Sequence, residues 1–310
     1  MRPDEFAKAL VIYALLPAIA WSADPGQWTT GQSMPSSRSE VAVAELGGHV
    51  YVAGGFGSAT RELEIYDPTE DRWRRGSPMP YSVHHPAAVA VNGKLYVIGG
   101  YSDGWSAIDR VLEYDPTTNR WQPRAPLPTA RGALAAVAVN GRIHALGGVG
   151  TNRRNTGAHE VYDPTTNRWS VAPALPTPRD HLAAAVLAGR IYVIGGRLDG
   201  SYARNLAVNE EYDPTTERWR TRAPMPTPRS GIAAAEHDGR MVVVGGEATS
   251  GTFDQNEAYH PQADRWQALA PLPTARHGLG AAAVAGRLYV IAGGRTPGGS
   301  ASSLNEIFVP

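Results

Sequence analysis

Self-similarity at a fixed spacing constrains this chain more than any other feature. Glycine doublets stand at Gly54-Gly55, Gly99-Gly100, Gly147-Gly148, Gly195-Gly196, Gly245-Gly246 and Gly293-Gly294, each closing an apolar run such as "KLYVIGG". The period is about 48 residues, typical of units that cannot cover their own apolar faces and must stack on copies of themselves. An aromatic follows every doublet (Tyr66, Tyr114, Tyr162, Tyr212, Tyr259, Phe308). Seven residues beyond the first five of these comes Trp73, Trp121, Trp169, Trp219 or Trp266.

Each unit divides into four short strands. A small-residue strand such as "GALAAVAV" meets a tight Gly-containing turn (Asn140-Gly141), then the strand that ends in the doublet, a loop of variable length, and a strand ending "EVYDP". The "DPTTN" stretch supplies the next turn, and the Trp strand completes the sheet. Four-stranded antiparallel sheets repeated around an axis predict an all-β, six-bladed propeller, with blades starting near residues 34, 81, 129, 177, 227 and 274. The sixth unit stops at Pro310 before any Trp strand, while Trp28 stands ten residues before Arg38 as Trp121 stands ten before Arg131. Residues 24–32 are therefore expected to complete the last blade and latch the ring, which would leave no open edge.

The doublets, the Tyr-Asp-Pro run, the Trp seven residues after the Tyr and the Arg ten after the Trp together resemble the kelch repeat, over about residues 26–310. The resemblance implies a six-bladed propeller and says little about chemistry, since such propellers serve both as binding modules and as enzymes.

Composition narrows the partners. Lys plus Arg equals Asp plus Glu at 29 each, so no net field is available to hold nucleic acid. The absence of cysteine removes disulfides, thiol nucleophiles and thiolate metal sites. The run Ala9 to Ala20, followed by small residues, reads as a signal peptide over residues 1–22 with cleavage after Ala20, Ser22 or Ala23. The mature domain would then be residues 23–310, periplasmic or secreted, monomeric, and without a membrane span.

Residues present in nearly every unit are most simply framework, including the Glu two positions before the aromatic (Glu64, Glu160, Glu210, Glu257, Glu306), which Leu112 replaces in unit 2. The recurrent Arg (Arg38, Arg131, Arg179, Arg229, Arg276) enters the innermost strand from the crossover loop, so these five are expected around one mouth of the central channel. In similar kelch modules arginines here receive acidic partners, an implication that fails at Val83. The residues after the doublets (Phe56, Tyr101, Val149, Arg197, Glu247, Arg295) should open on the same face, with Glu247 between the Arg of each neighbouring blade. Unit 2 departs from the others at Tyr81, Val83, His84 and His85, and its loop adds Tyr101, Asp103 and Trp105. The expected site is thus a rim of Arg38, Arg131, Arg179, Arg229, Arg276, Arg197, Arg295 and Glu247 facing an aromatic patch of Tyr81, His84, His85, Tyr101 and Trp105. Such a rim suits a protein, peptide or acidic carbohydrate.

No catalytic set stands out. His84 and His85 are adjacent strand residues expected to point to opposite faces, and His181, His237 and His277 lack ligand spacing, so neither a metal nor another cofactor is expected. Galactose oxidase also contains kelch repeats, but its Tyr-Cys crosslink needs a cysteine. The principal expectation is an exported binding module. The alternative resembles the periplasmic kelch mutarotases acting on sialic acid, for which His84, His181, His277, Asp180 and Glu247 are the acid and base candidates.

Overall fold

The computed structural model describes residues 25–310, so the expected signal peptide lies outside the described residues. Blade 1 pairs Ala42–Leu46, His49–Ala53, Glu64–Asp67 and Arg72–Arg75 in sequence order, and blades 2 to 5 repeat that antiparallel order. Blade 6 takes Gly280–Val284, Arg287–Ile291 and Asn305–Val309 from the C-terminus and Gln27–Thr30 from the N-terminus. Gln27 pairs with Val309 and Trp28 with Phe308, whose rings stand 5.1 Å apart. The chain is thus the all-β six-bladed propeller that its repeats predict, closed by its own two ends.

Local chemistry sets the blade. In the first hairpin of blade 3, Asn140 and Gly141 take φ of 52° and 75°, the left-handed pair that a two-residue hairpin turn requires. The innermost strands are alanine-rich (Ala135–Val139, Ala183–Leu187), and small side chains let neighbouring strands crowd the axis. Tyrosines fill the wider gaps farther out. Each gap between adjacent blades holds one apolar cluster: Val50, Val52 and Tyr66 of blade 1 pack on Tyr289, Ile291 and Ile307 of blade 6. Fully burying each large side chain contributes about 1.5–3 kcal/mol.

The framework tryptophans also tie blade to blade. The indole N–H of Trp121 donates to Ser77 O at 2.7 Å, Trp169 to Ala125 O at 2.9 Å and Trp219 to Pro173 O at 2.8 Å, in each case across to the preceding crossover. Trp28 makes the same bond to Ala270 O at 2.9 Å, so the latch copies the internal blades.

Candidate functional site

The five recurrent arginines stand away from the channel, contrary to the expectation from sequence. Arg38, Arg131, Arg179, Arg229 and Arg276 are each 0% exposed, so they do not line the channel mouth. Each turns back into its own blade and pairs with the recurrent Glu: Arg38–Glu64 at 2.6 Å, Arg131–Glu160 and Arg179–Glu210 at 2.5 Å, with Arg229–Glu257 and Arg276–Glu306 likewise. A guanidinium carries five donors in a fixed fork, enough to satisfy strand carbonyls as well. Arg179 shows this, donating to Gly195 O at 2.8 Å and Val193 O at 2.9 Å. In blade 2 both partners are exchanged together: Val83 and Leu112 are buried in one apolar cluster. An ion pair and a well-packed apolar pair are alternative ways to fill the same space.

The channel itself is organised two residues after the arginine. Glu40, His85, Ala133, His181, Gly231 and Gly278 all adopt left-handed backbone, with φ between 51° and 64°. Their amides form a closed ring, each N–H donating to the same position of the preceding blade: His85 to Glu40 O at 3.0 Å, Ala133 to His85 O at 3.0 Å, His181 to Ala133 O at 3.1 Å, Gly231 to His181 O at 3.0 Å, Gly278 to Gly231 O at 2.9 Å and Glu40 to Gly278 O at 2.7 Å. These six residues line an axial void of ≈ 80 Å³. The left-handed turn at His85 also breaks strand alternation, which corrects the expectation that His84 and His85 face apart. Their Nδ1 atoms are 2.8 Å from each other, one donating to the other.

Around this ring the blades contribute different ionisable groups. Asp180 Oδ1 accepts from His181 Nδ1, which fixes the tautomer that leaves Nε2 to accept from Arg197 Nη2 at 2.8 Å. Arg197 Nε lies 3.3 Å from Asp180 Oδ1, and its Nη1 donates to Glu247 Oε1 at 2.6 Å. His277 Nδ1 stands 3.1 Å from Glu40 Oε1 and 3.3 Å from Glu247 Oε2. His85 Nε2 is 3.3 Å from Glu40 Oε2. Burial pushes the Glu40 carboxyl up, but His85, His277 and His181 outweigh it and hold it well below the usual range. For His277 burial is overcome by Glu40 and Glu247, which raise its pKa. His84 and His85 have no such surplus of carboxylates, and burial lowers them to about 4 and about 3. The floor is therefore a compensated network, in which Arg197 and the raised His277 answer the carboxyl groups of Glu40, Asp180 and Glu247.

Above the ring the mouth is aromatic on the side of blades 1 and 2. Phe56 stacks on His84 with centroids 4.0 Å apart, His84 meets Trp105 edge-on at 4.7 Å, and Tyr101 lies 5.4 Å from Trp105. Trp105 is 55% exposed, on left-handed backbone at φ 64°. A funnel of ≈ 730 Å³ runs from this patch across blades 3 and 4, lined by Tyr101, Trp105, Arg153, His181, Arg197 and Tyr202. The Arg197 guanidinium sits over the Tyr202 ring at 4.5 Å.

Two other expected members lie elsewhere. Tyr81 belongs to the outer half of its crossover and lines a separate flank groove of ≈ 690 Å³ under Arg110, with the guanidinium 4.6 Å from its ring. Arg295 misses the position after the doublet by one residue. In blade 6 Ala292 at φ 61° and Gly293 at φ 99° occupy the doublet geometry, and Gly294 bridges His277 as Arg197 bridges Asp180. Arg295 is exposed, and Glu247 meets blade 6 at His277 and at the Gly298 amide instead. Glu40, Arg153 and Tyr202 were not anticipated. Glu40 was visible as the residue two after Arg38, the column where His85 and His181 stand; the loop residues Arg153 and Tyr202 carry no repeat signal.

No curated protein matches this sequence. A solved structure titled "Structure of YjhT" superposes with a TM-score of 0.80 at 18% identity, covering 90% of this chain and 97% of that one, a likeness of fold. The Kelch motif family matches residues 37–80 and 83–128. The KLHDC2/KLHL20/DRC7 Kelch-repeats domain family matches residues 133–309. With its ring closed and its repeats matched from residue 37 to residue 309, the chain belongs to the kelch-repeat propellers.

Proposed function

We propose that this chain is an exported binding module that holds a carbohydrate or peptide in the funnel between blades 2, 3 and 4. The observation that carries the reading is the exposed indole of Trp105 at the mouth of a ≈ 730 Å³ funnel whose floor presents fixed polar groups. An exposed aromatic face beside oriented charged groups suits a ligand with one flat face and several hydroxyl or amide groups. The burial of the five framework arginines removes most of the support for a strongly acidic ligand. Arg153, exposed and without an ion-pair partner among the described residues, offers a carboxylate a cation on the funnel wall beside Arg197, which is already paired with Asp180 and Glu247. No helix among the described residues is long and apolar enough to cross a membrane.

Titrating the protein with a panel of neutral and acidic oligosaccharides and short peptides, read by tryptophan fluorescence, tests this. Binding that Trp105→Ala weakens at least tenfold with an unchanged melting temperature is the expected result. A ligand bound equally well by wild type and Trp105→Ala would place the site elsewhere.

The mutarotase alternative draws on one specific arrangement, the Asp180–His181 pair opening into the same funnel. It predicts accelerated anomer exchange of a free sugar by NMR, abolished in His181→Ala. Exchange at the buffer rate for every sugar that binds would leave the module reading alone.

A further inference from the structure

Three donor atoms from three blades converge beside the axial ring. His277 Nδ1 lies 3.1 Å from Glu40 Oε1 and 3.3 Å from Glu247 Oε2. Donors around a tetrahedral ion with bonds of about 2.0–2.2 Å stand roughly 3.3–3.6 Å apart, close to these two nitrogen–oxygen separations, and the ligand atoms of all three residues lie within 4.8 Å of one another.

Each donor is also oriented from behind, as metal ligands are. The other ring nitrogen of His277, Nε2, donates to Thr296 O at 3.1 Å, which turns Nδ1 toward the carboxylates. Glu247 is held by Arg197 Nη1 on Oε1 at 2.6 Å and by Gly298 N on Oε2 at 3.1 Å. Glu40 is held through its second oxygen by His85 Nε2 at 3.3 Å. The backbone leaves room for this convergence at one glycine in particular. A Cβ on Gly278 would stand 2.6 Å from Glu40 Oε1, so a larger residue there would displace the carboxylate. The adjoining axial void of ≈ 80 Å³ has space for water to complete a shell. His181, a second imidazole in the same throat, shares Glu40 with His85 in an overlapping group of potential ligands.

We propose that Glu40, Glu247 and His277 form a binding site for one divalent transition ion of the zinc or manganese class. One imidazole with two carboxylates suits these ions better than calcium or magnesium, which favour all-oxygen shells. At present the Nδ1–H of His277 bridges the two carboxylates; an ion on the same atoms would displace that proton to solvent and serve both carboxylates at shorter range. The site is buried behind Arg197, which lines the funnel, and its occupancy is independent of whether the funnel binds a sugar, a peptide or neither.

The test is calorimetric titration of chelator-treated full-length protein with zinc chloride and, separately, manganese chloride, alongside thermal unfolding. One ion per chain, bound at micromolar Kd or tighter with a raised melting temperature, is expected for at least one of the two metals. Glu247→Gln, nearly isosteric, and His277→Ala should each weaken binding about a hundredfold. If His277→Ala does not fold, Glu40→Gln takes its place, with circular dichroism of the metal-free variant confirming the fold. Absence of heat and of any melting shift up to about 1 mM of both metals would overturn the proposal. So would unchanged affinity in the folded variants, which would assign the ion to surface histidines.

Discussion

The arginine position and the position two residues after it make the sharpest contrast in this molecule. The first is nearly identical around the ring, and its side chains vanish into the blades. The second is occupied by Glu40, His85, Ala133, His181, Gly231 and Gly278, and every one of them lines the channel. Both positions do structural work, but the arginine does so with its side chain and the ring residue with its backbone amide. Where the backbone carries the constraint, the side chain is free to differ between blades. Recurrence in this fold marks what the ring requires, and variation marks where chemistry can be placed.

The contrast can be broken most forcefully at the framework. Arg229→Val alone leaves Glu257 buried without its cation and should cost about 3–5 kcal/mol in urea unfolding. Adding Glu257→Leu copies the Val83 and Leu112 solution of blade 2 and should recover most of that loss. A double variant as unstable as the single one would mean that blade 2 is not a valid precedent.

The latch comes next. Trp28→Ala should cost about 2–3 kcal/mol, close to Trp169→Ala, because both indoles bond the preceding crossover and pack on their blade's aromatic. A much smaller loss at Trp28 in thermal unfolding would show that the terminal strand contributes less than an internal one.

Acid acts on the blade interior and the channel alike. His144 and His159 are buried with Nδ1 and Nε2 2.8 Å apart, and burial lowers them to about 3 and about 4. Folded values below the unfolded 6.5 mean that the unfolded chain binds more protons in acid. Stability should therefore hold above pH 6.5 and fall as pH drops from about 6.5 toward 4, at up to about 1.4 kcal/mol per pH unit for each histidine. Chemical denaturation across that window should show the slope, and a His144→Leu/His159→Leu variant should lose about half of it, the rest belonging to His84 and His85.

The smallest stability change is expected at the mouth. Trp105→Ala removes an exposed ring and should shift unfolding by less than about 0.5 kcal/mol, its effect appearing in ligand affinity.

The repeat made the architecture legible down to its closure, because each strand and turn is written six times and Trp28 sits at framework spacing from Arg38. The aromatic mouth was also legible at His84, His85, Tyr101 and Trp105, as departures of one copy from the rest. The arginines misled because position along the strand does not reveal which way a long side chain turns, and the recurrent Glu that receives it stands roughly 30 residues away in sequence. The Glu40, Glu247 and His277 convergence was out of reach for a related reason. Its members come from blades 1, 5 and 6, and no local spacing joins residues that meet only once the ring has closed.

The central claim is that repeated side chains build the ring and varied ones build the site. It is tested most directly by measuring, on the same day and with the tightest-binding member of the ligand panel, Kd and melting temperature for two double variants. Arg229→Val/Glu257→Leu should keep the wild-type Kd whatever its melting temperature, while Trp105→Ala/His181→Ala should keep the melting temperature within a few degrees and lose binding by at least tenfold. Loss of affinity in the first with retention in the second would contradict the account.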